Sequence, residues 1–335
     1  MQKFSERFNQ LLRWVEIDAT TGLEATYLGA VEADLRAEGW TMSRLPVPGC
    51  DPAVRYNLLA TRGHSPRVLF CTHSDTVPPH LPARADNSAI WGRGACDTKG
   101  VFLAMVEAAR ALGHPRDLGL LLVVGEEVDH CGAAAFADAP AVTPTRIILG
   151  EPTLSQVVRG QKGVLKLALQ AHGVEGHSAY PERGHSAVHD LLDALAQIRT
   201  QGLPTDPVLG ASTLNVGLIS GGVAANVFAP SAEAVLMFRA AVATDELYRM
   251  ARVASGTAVD VEVLSRSEPQ IFDVPAGFET TVIPFNSDAA WLGRVAPVWL
   301  GGPGDIRLAH SVAERMLFEE FASGVDLYAR LYQAA

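Results

Sequence analysis

The chain lacks the features that mark several large classes of protein. It has four cysteines in 335 residues and none in a Cys-x-x-Cys pair, so reduced thiols in a cytoplasmic protein are expected. Its formal net charge is −10 and it has no run of Lys or Arg, which argues against nucleic acid or an anionic membrane as a partner. The longest apolar run is too short to span a bilayer. The first residues do not resemble a signal peptide, so we predict a cytoplasmic protein.

No internal repeat or low-complexity tract is evident either. At 335 residues the chain is about twice the common domain size, so two domains are expected. Short apolar segments alternate with helical patterns along the first half, which indicates an α/β sheet buried on both faces. From about residue 157 the order becomes β-α-β-β-α-β, which is typical of a ferredoxin-like α+β domain. A strand at 298–300 and a helix from about Ser311 are predicted to complete the first domain.

These patterns together predict an α/β fold with an insertion. The first domain, residues 1–156 and 268–335, is expected to contain a mixed sheet with helices on both faces. The inserted α+β domain is predicted to span residues 157–267. Its open four-stranded sheet leaves two edges unpaired, and pairing one edge with a second copy gives a two-fold dimer. A homodimer is therefore expected.

Ionisable side chains follow three of the predicted strands. They are His73 and Asp75 after 68–72, Glu126 and Glu127 after 118–124, and Glu151 after 146–149. Ligands of open α/β sheets bind outside the carboxyl ends of the strands. One acidic residue after a strand is ordinarily a helix cap or a solvated loop residue, but three such ends indicate a site.

Asp97 lies between a glycine-containing turn and a predicted helix at 101–112. By itself, an acidic residue there is most often a helix N-cap. Together with His73, Glu126, Glu127, Glu151 and His310, however, it completes a set of two imidazoles and four carboxylates, which suits zinc, cobalt or manganese. The adjacent Glu126 and Glu127 point in different directions, so one can bind metal while the other handles a proton. Asp75 is placed to orient the His73 imidazole.

Five motifs, in order along nearly the whole chain, resemble the metal-site motifs of the M20 metallopeptidase and amidohydrolase family. They are His73-x-Asp75, Gly92-Arg93-Gly94-x-x-Asp97-x-Lys99-Gly100, Glu126-Glu127-Val128 with Gly132-Ala133, Glu151-Pro152-Thr153 and Ala309-His310-Ser311. The family includes acetylornithine deacetylase, succinyl-diaminopimelate desuccinylase, N-acetyl-lysine deacetylase and glutamate carboxypeptidase. The resemblance implies a zinc-dependent hydrolase with two Zn²⁺ per subunit, for which Co²⁺ or Mn²⁺ can substitute.

The resemblance also implies a role for each residue of these motifs. The ligands divide into His73 and Glu151 for one zinc, Glu127 and His310 for the other, and Asp97 as the bridge between them. Glu126 is implied to be the general acid/base, with Asp75 supporting the catalytic site.

The inserted domain carries further matches to the same family. The segment Gly176-His177-Ser178-Ala179 resembles a lid motif whose histidine stabilises the oxyanion from the partner subunit, so the insertion is implied to be a lid and dimerisation domain. Considered without the family, His177 is a lone loop histidine. Asn226 matches a residue that reaches the substrate. Arg239 matches a position that clamps a substrate carboxylate, although it also fits a surface arginine on a strand edge.

Two departures from the family pattern leave the substrate open. Asp129-His130 stands where a Gly-Ser type of turn usually follows the glutamate pair, and His185 stands where a small polar residue is common. We predict a deacylase that removes an N-acyl group, acetyl in the first instance, from an amino acid such as acetylornithine or acetyl-lysine. Alternatives are a succinyl-diaminopimelate desuccinylase, a metallo-dipeptidase or carboxypeptidase that acts on short peptides, and a catalytically silent metal-binding scaffold.

Overall fold

The computed structural model describes residues 2–63 and 65–335, and the side chains of residues 7–63 and 65–335. The chain divides into two compact units. The first runs to Arg159 and resumes over Phe272–Thr281 and Ser287–Ala335, and the second comprises Gly160–Ile271 with Val282–Asn286. The sequence-based boundaries at 157 and 267 stay predictions of the domain limits.

Helices and strands alternate along most of the chain, in both units. The helices are α1 (Gln2–Glu16), α2 (Ala25–Ala37), α3 (Lys99–Ala111), α4 (Cys131–Asp138), α5 (Ala187–Thr200), α6 (Thr244–Ser255), α7 (Ala289–Leu292) and α8 (Phe318–Ala334). The strands are β1 (Thr41–Pro46), β2 (Tyr56–Thr61), β3 (Val68–His73), β4 (Arg84–Ala85), β5 (Ala89–Trp91), β6 (Leu118–Val123), β7 (Arg146–Leu149), β8 (Val157–Gln161), β9 (Gly163–His172), β10 (Thr205–Asp206), β11 (Gly210–Ala211), β12 (Thr213–Gly221), β13 (Ser231–Ala240), β14 (Val259–Ser267), β15 (Gln270–Ile271), β16 (Thr280–Ile283), β17 (Val298–Leu300) and β18 (Arg315–Leu317). In the part of the chain that the structure describes, no helix combines the length and the apolar character that a membrane span requires.

The strands of the nine-stranded main sheet that lie wholly within the first unit have the order β1-β2-β6-β3-β7-β17. Strand β3 pairs in parallel with β6 and with β7, whereas β1 and β2 are antiparallel additions at one side. All six residues of β3 and of β6 are buried, which explains their continuous apolar sequences. Helices α1, α2, α3 and α8 share one hydrophobic core with these strands. The mixed α/β sheet that the sequence predicts is thus present.

The second unit is built on a smaller antiparallel sheet with the order β12-β13-β9-β14. Buried and less buried residues alternate along β9 and β13, as expected for a sheet with one covered face. The buried residues pack with apolar residues of α5 and α6 into a separate core. The sequence predicts this β-α-β-β-α-β order, and the structure has it.

The C-terminal helix begins later than the sequence pattern indicates. We predicted a helix from about Ser311, but α8 begins at Phe318. Residues Arg315–Leu317 instead form β18 and pair with β5. Strand β1 and helix α4 were not expected either. Strand β18 pairs with β5, which is distant in the chain, and α4 has only 8 residues. Neither feature leaves a strong periodic pattern in the sequence.

Candidate metal centre

Three neighbouring strands of the main sheet place their ionisable residues at one edge. His73 is the last residue of β3, while Glu126 and Glu127 follow the end of β6 and Glu151 follows the end of β7. Because β3 lies between β6 and β7 and runs parallel to both, these residues leave the same edge of the sheet.

The side chains meet in two groups of three. Ligand atoms of His73, Asp97 and Glu151 lie within 4.8 Å of one another, as do those of Asp97, Glu127 and His310. His73 Nε2 is 3.0 Å from Asp97 Oδ1, and His310 Nε2 is 3.3 Å from Asp97 Oδ2 and 3.1 Å from Glu127 Oε1. Asp97 therefore belongs to both groups, with one oxygen directed to each histidine.

Asp97 does not act as a helix cap. Helix α3 begins at Lys99 with Thr98 in the N-cap position, and the Thr98 hydroxyl donates to the carbonyl of His73. The carboxylate of Asp97 is therefore free of the helix terminus and faces the two histidines.

Burial and crowding shift the pKa values of these groups strongly. Burial, followed by neighbouring carboxylates, raises the pKa of Glu126 and of Glu151 well above the usual range. Burial opposes the charged form of His73, yet its contacts with Asp75 and Asp97 raise its pKa well above the usual value. Contacts with Asp97 and Glu127 raise the pKa of His310 to about 10. The carboxylates are thus too close together to ionise without nearby positive charge.

A divalent cation fits this arrangement. Glu151 Oε1 is buried and has no hydrogen-bond partner among the residues that the structure describes. Such an atom is costly unless a cation or a donor satisfies it. Two imidazoles and three carboxylates are also the donor types that zinc, manganese and cobalt accept. A metal at each group would supply the positive charge that the carboxylates lack.

Comparisons with known proteins agree with this chemistry. Residues 69–334 match the family model described as "Peptidase family M20/M25/M40". The chain belongs to this peptidase family. It is 37% identical to an Aspergillus terreus protein named "Probable carboxypeptidase", over 96% of this chain and 84% of that protein. It is 34% identical to a peptidase M20 domain-containing protein of Schizosaccharomyces pombe, over 95% of this chain and 82% of that protein.

Solved structures share the fold of this M20 chain. A tripeptidase from Staphylococcus aureus superposes with a TM-score of 0.83 at 19% identity, covering 97% of both chains. A di-peptidase from Saccharomyces cerevisiae has a TM-score of 0.73 at 13% identity, covering 100% of this chain and 98% of the other. The predicted fold class is thereby confirmed. The chain is an M20 metallohydrolase that acts on peptide or amide bonds, and the names of its relatives favour the peptidase alternative over the deacetylase prediction.

Asp75 faces the His73 imidazole and also holds a neighbouring turn. The nearest partner of His73 Nδ1 is the backbone carbonyl of Asp75 at 3.0 Å, with Asp75 Oδ1 at 3.5 Å. The carboxylate also accepts from the backbone amides of Gly125, Glu126 and Glu127, at 3.0, 3.1 and 3.3 Å, and from the Thr21 hydroxyl at 2.8 Å. Asp75 therefore fixes the turn that carries the glutamate pair as well as facing the imidazole.

Arg93 and Glu314 support the M20 site, and sequence reasoning did not identify Glu314. The Arg93 guanidinium and the Glu314 carboxylate form a buried ion pair. Glu314 Oε1 also accepts from the backbone amides of Gly94, Cys96 and Asp97, at 2.7, 3.3 and 3.3 Å. One carboxylate thus holds the whole turn that presents Asp97. The two partners are 221 residues apart, so only the proximity of Glu314 to the His310 motif hints at this role.

The remaining predicted residues lie in the second unit. His177 forms an isolated bridge with Val227, and the amide of Ser178 donates to the carbonyl of Asn226 at 3.0 Å, so the two predicted segments lie side by side. Arg239 is on β13, where burial lowers the pKa of its guanidinium. The roles of His177, Asn226 and Arg239 at a substrate stay predictions.

Proposed function

We propose that this chain is a metallopeptidase that hydrolyses dipeptides or the C-terminal residue of short peptides. The observation that carries the proposal is the pair of ligand groups that share Asp97, with Glu126 beside them but in neither group. The peptidase names of the relatives support a peptide substrate over an N-acyl amino acid.

The proposed ligands are His73 and Glu151 at one metal, Glu127 and His310 at the other, and Asp97 at both. When bound, two divalent ions, Zn²⁺ in the first instance, lower the pKa of water and polarise a carbonyl.

Glu126 is the proposed general base. Its high pKa in a buried setting suits a group that takes a proton from water and returns it to the leaving amine. Asp75 holds the Glu126 and Glu127 amides, so the two glutamates keep their separate directions. Glu127 is thereby available as a metal ligand, and Glu126 is available to carry the proton.

His177, Asn226 and Arg239 are proposed to bind the substrate. An arginine recognises a carboxylate well, so Arg239 suits the free C-terminus of a peptide. His177 is proposed to act on the oxyanion in the site of a partner subunit, within a homodimer formed by the second unit. The edge strand β12 supports such pairing, because Leu218 and Ile219 on it are 68% and 56% exposed.

The test is a substrate panel with the purified, Zn²⁺-loaded chain. The panel contains free dipeptides, N-blocked dipeptides, C-amidated dipeptides and N-acetyl amino acids. Cleavage of N-blocked but not C-amidated dipeptides indicates a carboxypeptidase, and cleavage of free dipeptides alone indicates a dipeptidase. Hydrolysis of N-acetyl amino acids with no peptide cleavage would overturn the proposal in favour of a deacylase.

The matched control is Glu126→Gln, which removes the base and keeps the size of the side chain. It is expected to keep its metal while turnover falls by about 10²- to 10⁴-fold. Glu127→Gln is expected to lose metal instead. Equal metal loss in both variants would contradict the assigned roles.

Mixed dimers test the proposed lid. His177→Ala and Glu126→Gln subunits, each inactive alone, are expected to recover activity in heterodimers, where one site has both groups. Verified heterodimers without activity, or a fully active monomer, would place His177 outside the partner's site.

A further inference from the structure

One histidine beside Glu126 has no role in the function proposed above. His130 Nδ1 lies 3.8 Å from Glu126 Oε1 and 2.9 Å from Asp288 Oδ1. All three residues belong to the first unit. The imidazole therefore stands next to two carboxylates, one of which is the proposed general base.

Three features fix the position of His130. Its backbone has φ of 56°, a left-handed conformation that few non-glycine residues adopt. Its ring stacks on Trp291, with 4.3 Å between ring centroids and 22° between the planes. Its Nδ1 is bonded to Asp288. The left-handed residue begins helix α4, so the imidazole is held from the backbone, the ring face and one ring nitrogen.

Asp288 is a buried carboxylate that lies against His130. Its side chain is 1% exposed, and it occupies the N-cap position of α7 without capping the helix. Its Oδ2 has no hydrogen-bond partner among the described residues. Without His130 beside it, the negative charge of Asp288 would repel the carboxylate of Glu126.

We propose that His130 is a positioning residue that orients Glu126 and separates it from Asp288. A carboxylate only accepts hydrogen bonds, so the proton of the His130–Asp288 pair lies on Nδ1. The same nitrogen also lies near Glu126 Oε1. At 3.8 Å this contact is longer than a hydrogen bond, and contacts of catalytic groups often shorten when substrate binds. The inference rests on the proposed role of Glu126 as base.

His130 departs from the pattern that the resemblance to the family implies. Asp129-His130 stands where the resemblance leads one to expect a Gly-Ser type of turn. A glycine would satisfy the left-handed backbone at residue 130 without strain.

Two substitutions separate the side chain from the backbone. His130→Asn tolerates the left-handed conformation and places an amide N–H close to the position of Nδ1. His130→Gly tolerates the same conformation and has no donor. Both lose the stack on Trp291. Any difference between them in kcat therefore reports the donor and not the fold.

His130→Gly is expected to lower kcat by about 10- to 100-fold, as the loss of supporting contacts around a metal site commonly does. His130→Asn is expected to stay within about threefold of the unsubstituted enzyme. KM, metal content and melting temperature should be alike in the two variants. Equal kcat values for the two would overturn the proposal.

Asp288→Asn in the His130→Gly background supplies a second test. If His130 separates two negative charges, removing the Asp288 charge is expected to raise the kcat of His130→Gly several-fold. A further loss of kcat in the double variant would contradict the separation. Failure of the proposed function is distinguishable, because it would appear first as no peptide hydrolysis by the metal-loaded enzyme or no effect of Glu126→Gln.

Discussion

The two ligand groups that share Asp97 differ in how the fold holds them. His73 ends a fully buried strand, and its side chain is 1% exposed. His310 lies in a loop with φ of 62°, and its side chain is 51% exposed. Glu151 is buried, whereas Glu127 is only partly buried. The group of His73, Asp97 and Glu151 is therefore buried throughout, whereas the group of Asp97, Glu127 and His310 extends from the buried Asp97 to the exposed His310.

This difference has consequences for metal binding and for folding. A ligand set held by a buried strand is pre-organised, so metal binding there requires little reordering of the chain. Ordering a ligand on a loop costs conformational entropy, and such a loop moves away from the metal more easily. We therefore expect the buried group to hold its metal more tightly than the group that contains His310.

Asp97→Ala is expected to have the largest effect, because it removes the one ligand that the two groups share. Both metals should be lost, and peptide hydrolysis should fall on the order of 10³-fold or more, since the metals supply several kcal/mol of stabilisation in the transition state. Metal content by elemental analysis and turnover measure this. Retention of one tightly bound metal would show that one group functions without Asp97.

Glu314→Ala tests the support beneath Asp97. It leaves Arg93 buried without its partner, so the free energy of unfolding should fall by about 3–5 kcal/mol. Glu314→Gln is the matched control, because it keeps an oxygen that can accept from the turn amides and removes only the charge. Denaturant unfolding measures both variants. A decrease in the free energy of unfolding as small as that for an exposed ion pair would contradict the supporting role of Glu314.

His310→Ala and His73→Ala compare the two groups directly. His310→Ala is expected to keep about one metal per chain, because the buried group is intact. His73→Ala should reduce both metal content and stability, since it removes a buried strand end. Metal content and melting temperature are the measurements. Identical behaviour of the two variants would mean that burial does not distinguish the groups.

Chelation of the unsubstituted enzyme is expected to give the smallest and subtlest effect. Metal should leave in two phases, about half of it quickly from the more exposed group. The fast phase should be absent from His310→Ala. A single phase in both proteins would indicate that the two sites open together.

Much of the candidate site could be predicted from local sequence. Continuous apolar runs identified β3, β6 and β7, and the residues after them followed directly from the chain. Roles were harder to predict than positions. The carboxylate of Asp75 was expected to orient His73, and its additional hydrogen bonds to the amides of the glutamate turn were not expected.

The local sequence pattern also gave a wrong prediction where the structure depends on a partner that is distant in the chain. Residues 311–317 contain no helix, because Arg315–Leu317 pair with β5 and Glu314 is drawn into the core by Arg93. Neither partner can be identified from the segment itself.

The sequence by itself determined the alternation of strands and helices, the residue types at the strand ends and therefore the metal chemistry of this chain. These depend on neighbours within a few residues, where covalent geometry and hydrophobic periodicity are decisive. Only the tertiary structure decided that Glu314 holds the Asp97 turn and that His130 stands between Glu126 and Asp288. Except for His130 and Glu126, which are four residues apart, those contacts join residues far apart in the chain. Burial makes them strong because few alternative partners remain once water is excluded.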